Sequence, residues 1–215
     1  MAERAMPLTN RVSADGGLHA VAARGTMMGN RGGRLHDPQT QTLGRARWRS
    51  RAWICCVLEF RGRKRQVMGE GYTELFFLDE VSALAAGHRP CFECRRADAL
   101  RYREAWQRGH GLVAPPSAPE MDRQLHGERT GERPVLALGE LETLPDGTMV
   151  RLGETMLTRR EGRWLTWSFA GYRPAEPDAL ARAARTRAEL LTPPASVAVL
   201  AAGFRPLWHD SADGS

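Results

Sequence analysis

Two cysteines separated by two residues, Cys91 and Cys94, are the side chains with the clearest chemistry in this sequence. A Cys-x-x-Cys turn lets two thiolates reach one ion at a Zn–S distance of roughly 2.3 Å, because the intervening backbone amides can point back at the sulfurs. The spacing therefore predicts that Cys91 and Cys94 form half of a zinc site.

The residues before this pair predict rigid elements that hold it in place. The apolar run from Leu75 to Leu78 is typical of a short strand, and Asp79 is a favourable N-cap for a helix whose apolar residues recur at helical spacing. Gly87 then supplies a helix stop, and Pro90 prevents the helix from resuming before the first cysteine.

The string from Phe76 to Arg96, FFLDEVSALAAGHRPCFECRR, resembles the second half of the zinc-binding domain of Ada-type DNA methyl-phosphotriester repair proteins. In that family an aromatic pair precedes a short helix that ends in Ala-Ala-Gly-aromatic-Arg-Pro-Cys, followed by two residues and a second cysteine. The resemblance extends over residues 54–96 and implies bound Zn²⁺. The family's first cysteine pair is spaced Cys-x-x-x-Cys, whereas Cys55 and Cys56 are adjacent here. If the family's methyl transfer to a zinc-bound cysteine also operates here, the resemblance implies Cys55 as the nucleophile.

The alternation of side chains along a strand gives Cys55 and Cys56 opposite environments. Cys56 shares its face with Ile54, Leu58 and Phe60, which is the more continuous apolar face. We therefore expect Cys56 in the core and Cys55 as the third ligand, with two packed, metal-free thiols as the alternative. The candidate metal ligands are Cys55, Cys56, Cys91 and Cys94.

Two histidines are candidates for an extra ligand. His36 lies in a glycine-rich segment, and His209 ends SVAVLAAGFRPLWH, which echoes VSALAAGHRPCFEC and places His209 one residue before the position of Cys94. This echo is either a degenerate duplication or two helices with the same stop signal. Four ligands would close a structural zinc site and three would leave a position for water, and the sequence leaves both open.

The charge of the chain points to nucleic acid. The 215 residues carry a formal net charge of +6, and Lys64 is the only lysine among the basic residues. Arginine makes bidentate contacts with phosphate, so we expect nucleic acid, DNA first, as the partner, with genomic base composition as the alternative cause. The candidate contact residues are Arg31, Arg34, Arg61, Arg63, Lys64, Arg65, Arg95 and Arg96.

The segment from Gly25 to Asp37 contains four glycines and two arginines. Closely spaced glycines let backbone amides approach an anion, so this segment is either a phosphate cradle or a flexible basic loop.

The fold class predicted is α+β, with an Ada-like zinc-knuckle domain followed by a small antiparallel β-rich domain with C-terminal helices. Residues 1–112 form the first domain, with the basic glycine-rich loop near its N-terminus, and residues 113–133 form a linker that begins with the proline-rich VAPPSAP. Residues 134–215 show turn signals between strand-like runs, which predict a meander, and then a helix over 178–191 and a last helix after Pro193.

Four cysteines are too few for a disulfide scaffold, and the sequence shows neither a signal-like segment nor a membrane-spanning run. We expect a cytoplasmic protein without a membrane partner and leave its oligomeric state open. The predicted function is a zinc protein that interacts with nucleic acid through an arginine-rich face. The alternatives are an enzyme on nucleic acid, by methyl transfer or by hydrolysis with His36 or His209 activating water, and a metal-stabilised protein-interaction module.

Overall fold

The computed structural model describes residues 6–64, 66–176 and 187–214. Arg65 and most of the helix predicted over 178–191 lie outside the described residues. The remainder combines short helices with two sheets rich in antiparallel pairs, so the α+β class is confirmed.

The first sheet has six strands in the order β2-β1-β5-β3-β4-β6. Its strands are β1 (Thr9–Val12), β2 (Leu18–Ala20), β3 (Met27–Asn30), β4 (Ile54–Cys56), β5 (Leu75–Phe77) and β6 (Arg89–Pro90). Two of its pairs, β1 with β5 and β4 with β6, are parallel, and the other pairs are antiparallel.

The second sheet has the order β11-β10-β9-β8-β12-β7 and is antiparallel throughout. Its strands are β7 (Val135–Leu136), β8 (Met149–Leu152), β9 (Thr155–Arg160), β10 (Arg163–Ser168), β11 (Gly171–Pro174) and β12 (Ala188–Leu190). The consecutive strands β8 to β11 form the meander that the turn signals predict.

Five described helices surround the sheets, together with a 3-10 turn at Asp210–Asp213. The helices are α1 (Glu80–Ala85), α2 (Arg96–Gly109), α3 (Ala118–Thr130), α4 (Leu138–Leu141) and α5 (Pro194–Ala201). Asp79 caps α1 as expected, because its carboxylate accepts a hydrogen bond from the Ser82 amide at 2.9 Å. Gly87 then takes a φ of +80°, the left-handed conformation that ends the helix. Within the described residues, no helix is both long enough and apolar enough to cross a bilayer.

Helix α1 joins the two sheets. Its Val81 and Ala85 lie in one buried cluster with Met149 of β8 and Leu165 of β10. A second cluster packs α2, α3 and α5 together and includes the buried residues Tyr102, Met121 and Leu200. The residues predicted as a linker thus include the packed helix α3.

Three segments differ from their predicted structure. Residues 27–30 form the inner strand β3 instead of a loop, and Gly29 is needed there because a Cβ atom would lie 2.1 Å from the carbonyl oxygen of Ile54. The strand predicted after Pro134 is divided into β7 and α4, and residues 188–190 of the predicted helix form strand β12. In the strands β3, β7 and β12, pairing with a distant strand overrides local propensity.

Candidate metal centre

Three cysteine sulfurs converge at one edge of the first sheet. The Sγ atoms of Cys56, Cys91 and Cys94 all lie within 4.8 Å of one another. Three soft donors at this separation form a possible metal-binding site, and we refer to these residues as the cysteine cluster.

Strand pairing brings the three residues together. Strand β6 runs parallel to β4, and the Cys91 amide continues this ladder by donating to the Cys55 carbonyl oxygen at 3.0 Å. Cys91 therefore sits beside Cys56, the last residue of β4. The chain then turns through Cys94 into α2, and the Arg95 amide donates to the Cys91 carbonyl oxygen at 3.0 Å.

The surroundings of Cys91 favour its thiolate. The Glu93 amide points back at the Cys91 sulfur, with an N–S distance of 3.4 Å. The N-terminus of the 14-residue helix α2 follows immediately, and a helix N-terminus stabilises negative charge. Hydrogen bonds from Cys56 and Cys94 lower the pKa of the Cys91 thiol, and the contact with Cys91 raises the pKa of Cys56. A divalent cation would replace the protons that these sulfurs otherwise share.

The structure reverses the expected roles of the adjacent cysteines. Cys56 joins the cluster, whereas Cys55 is fully buried on the other side of the sheet, among Val12, Leu75 and Phe77. The prediction counted the side chains at 58 and 60 as part of the Cys56 face. Strand β4 ends at Cys56, so these positions do not extend an apolar strand face, and the core face is the one that holds Cys55.

A buried ion pair fixes the region around Cys55. Arg95 makes two hydrogen bonds to the Glu80 carboxylate, at 2.6 and 2.9 Å, and its Nη1 lies 3.6 Å from the Cys55 sulfur. Burial, followed by the negative charge of Glu80, raises the pKa of the Cys55 thiol. Cys55 is therefore held as a neutral thiol, which is a poor nucleophile for the methyl transfer expected of it.

Neither candidate histidine belongs to the cluster. His36 is buried between the Thr73 hydroxyl and the Gly69 carbonyl oxygen, at 2.6 and 2.8 Å from its two ring nitrogens. His209 caps the 3-10 turn, where its Nδ1 accepts a hydrogen bond from the Ser211 amide. Among the described residues, the three sulfurs thus have no fourth His, Cys, Asp or Glu donor beside them.

All three cluster cysteines line a cavity of about 930 Å³. Its floor is a row of neighbouring residues on one face of the sheet, because Arg11 pairs with Phe76, Phe76 with Met28, and Met28 with Cys56. Side chains directly opposite one another on adjacent strands share a face. The cluster therefore has three protein donors and one side open to a cavity, which is the arrangement of a site with an exchangeable ligand.

The arginines predicted to contact nucleic acid divide into two groups. Arg31 and Arg95 are buried. The guanidinium carbon of Arg31 lies 4.0 Å from the centroid of the Trp53 ring. Both therefore support the fold and present no surface to a ligand. The others among the described residues are exposed, and these are Arg34, Arg61, Arg63, Lys64 and Arg96.

Two cavity residues, Arg11 and Arg24, were missed by the sequence reasoning. Residues 1–24 show only a weak pattern, and Arg11 reaches the cavity because β1 pairs in parallel with β5. The segment from Asn10 to Ser13 contains a single apolar residue, Val12. This pattern is too weak to predict the pairing of β1 with β5.

No protein-family model, no curated protein and no solved structure matches this chain. The likeness to the Ada-type zinc domain accordingly rests on the motif within residues 54–96.

Proposed function

We propose that this chain is a zinc-binding protein that interacts with nucleic acid through the basic surface around its Cys-x-x-Cys turn. The observation that carries the proposal is the convergence of Cys56, Cys91 and Cys94 within 4.8 Å. Thiolate donors select zinc over magnesium or calcium, and tetrahedral sulfur sites are typical of zinc.

The basic surface lies beside the cysteine cluster. Arg61, Arg63 and Lys64 are exposed on the turn after Phe60, and both arginines lie over the Phe60 ring at 4.9 and 5.4 Å. Arg63 also pairs with Glu93 of the cysteine turn at 3.0 Å, which connects this basic turn to the cluster. Clustered cations around aromatic rings are the features with which proteins hold phosphates and stack bases.

Fluorescence anisotropy of labelled DNA and RNA oligonucleotides, single-stranded and duplex, over a salt series tests the nucleic-acid part. We expect the Arg61→Gln/Lys64→Gln protein to bind more weakly and to lose roughly 1.4 from the slope of log affinity against log salt on a single strand, because each phosphate contact contributes about 0.7. The matched control is Arg163→Gln/Arg173→Gln, which removes the same charge from exposed positions on the second sheet. Equal losses in both variants would show that net charge alone drives binding and would overturn the proposed surface.

The open side of the cluster favours a second candidate, an enzyme that acts on nucleic acid. A zinc ion with three protein ligands and a water activates that water for hydrolysis. Hydrolysis would use the ion itself, since His36 and His209 are engaged elsewhere. Incubation of zinc-loaded protein with oligonucleotides, followed by intact-mass measurement of both, separates the outcomes. Cleaved oligonucleotide supports hydrolysis, a methyl group gained from methylated DNA supports transfer to sulfur, and unchanged masses support binding alone.

A further inference from the structure

Arg11 and Arg24 form a pair of like charges at the end of the cavity opposite the cysteine cluster. Arg24 is exposed and Arg11 is half-buried, and both line the cavity. Burial, and then the charge of Arg24, lowers the pKa of Arg11, so the two guanidinium groups interact unfavourably. Two cations held together at a cavity wall are stabilised when an anion binds between them.

The described part of the chain supplies no carboxylate partner for either arginine. Neither takes part in the ion pairs among the described residues, and Arg11 instead donates from Nε to the Ala23 carbonyl oxygen at 2.7 Å and from Nη1 to the Asn10 side-chain oxygen. Of the carboxylates that line the cavity, Glu93 pairs with Arg63 and Glu74 accepts the Met68 amide at 2.8 Å. Glu59, the third, makes no ion pair with either arginine.

The same cavity offers rings to a base. Phe60, Tyr72 and Phe76 all line it, and the Arg11 guanidinium lies 4.7 Å from the centroid of the Phe76 ring. A volume of about 930 Å³ falls within the range of roughly 300–1,000 Å³ that small-molecule sites occupy. Anion-binding arginines and stacking rings in one cavity of this size fit a nucleotide better than a bare phosphate.

The sheet register sets the distance between the two ends of the cavity. Arg11 and Cys56 are the outer members of the row Arg11, Phe76, Met28 and Cys56, which crosses four strands. Three inter-strand spacings of roughly 4.8 Å place their Cα atoms about 14 Å apart. Three thiolates with one divalent cation carry a net negative charge, so the phosphate of a ligand is repelled from the cluster and attracted to the arginines.

We propose that this cavity binds a nucleotide whose phosphate is held by Arg11 and Arg24 and whose base lies over the sheet floor, toward the cysteine cluster. The inference rests on the proposed function, because it identifies the part of nucleic acid that this site recognises. The nucleotide comes either free or as a unit of a single strand. In both cases the recognised chemistry is one phosphate with one stacked base, and the base lies toward the cysteine cluster.

Calorimetric titration with adenosine 5′-monophosphate, adenosine, inorganic phosphate and a short single-stranded oligoadenylate tests the proposal. We expect the monophosphate or the oligonucleotide to bind, and adenosine and phosphate alone to bind at least about tenfold more weakly. The Arg24→Gln protein should lose at least about tenfold in affinity, and Arg173→Gln, the matched exposed control, should stay within about twofold. Tighter binding of the oligonucleotide would assign the site to a strand, and equal or tighter binding of the monophosphate to a free nucleotide.

A second measurement locates the ligand and separates this proposal from the metal. Bound nucleotide should slow the alkylation of Cys56, Cys91 and Cys94 in the metal-free protein, read peptide by peptide by mass spectrometry. Absence of binding by both nucleotide ligands, equal binding of adenosine or phosphate, or an unchanged affinity in Arg24→Gln would each overturn the proposal. Failure to bind zinc with intact, Arg24-dependent nucleotide binding would instead contradict only the zinc part of the proposed function.

Discussion

Cys55 and Cys56 are neighbours in one strand, yet they belong to two different chemical environments. Cys55 lies on the core face of the first sheet, fully buried beside the Arg95–Glu80 ion pair. Cys56 lies on the cavity face, where it joins Cys91 and Cys94. The difference shows that a single step along a strand separates a packed thiol from a metal-binding one, because alternate side chains point to opposite faces.

Removal of one charge from an ion pair should destabilise the protein more on the core face of the first sheet than on its cavity face. Glu80→Gln leaves the Arg95 guanidinium with Asp98 as its remaining carboxylate. We expect a loss of about 3 kcal/mol in the free energy of unfolding, toward the low end of the range for a broken buried pair. Urea denaturation measures this, with Glu93→Gln as the control on the cavity face. Its exposed pair with Arg63 should contribute less than about 1 kcal/mol, and equal losses would contradict the assignment of the two faces.

The two cysteines themselves give the next largest contrast. In metal-free protein, Cys55→Ser places a hydroxyl among Val12, Leu75 and Phe77, and we expect it to reduce the free energy of unfolding by about 1–3 kcal/mol. Cys56→Ser borders the cavity and should cost less than about 1 kcal/mol. Denaturation of both variants in the presence of a chelator makes the comparison, and a larger loss for Cys56→Ser would reverse the two environments.

His88 gives the smallest effect, on the core side of the same sheet. Its ring is fully buried and packs against Trp53 and Phe77, at centroid distances of 5.0 and 4.6 Å. Burial, and then the charges of Arg31 and Arg129, lowers the pKa of His88 well below its ordinary value.

The unfolded chain therefore binds a proton at this site below about pH 6.5 while the folded chain does not, so folding stability falls as the pH falls through this range. Between pH 6.5 and 5, the free energy of unfolding of wild type should fall by up to about 1.4 kcal/mol per pH unit more than that of His88→Phe. Urea denaturation of both proteins at each pH measures this difference. Parallel pH profiles for the two proteins would show that His88 titrates normally in the fold.

Local signals were sufficient to predict the elements that carry Cys91 and Cys94. The cap at Asp79, the stop at Gly87 and the tight cysteine turn depend on residues close in sequence, and the structure shows the cap and the stop as expected. The strand before them was predicted for the same reason, and its end agrees within one residue.

Long-range pairing decided what the sequence did not reveal. The choice between Cys55 and Cys56 depends on where β4 stops, which its partners β3 and β6 determine. Arg95 was predicted as a surface residue, since its partner Glu80 lies fifteen positions earlier and only the folded chain brings the two together. The second sheet was predicted as a meander, but the helix α4 and the strand β12 depend on pairing and packing with distant segments.

The most direct test of this account is the zinc content of purified protein, measured with wild type, Cys55→Ser and Cys56→Ser in parallel under competition with a chelator. Wild type and Cys55→Ser should each retain a single zinc ion per chain, whereas Cys56→Ser should lose it to the chelator. Loss of zinc from Cys55→Ser with retention in Cys56→Ser, or a wild-type protein without zinc, would contradict the cysteine cluster as the metal site.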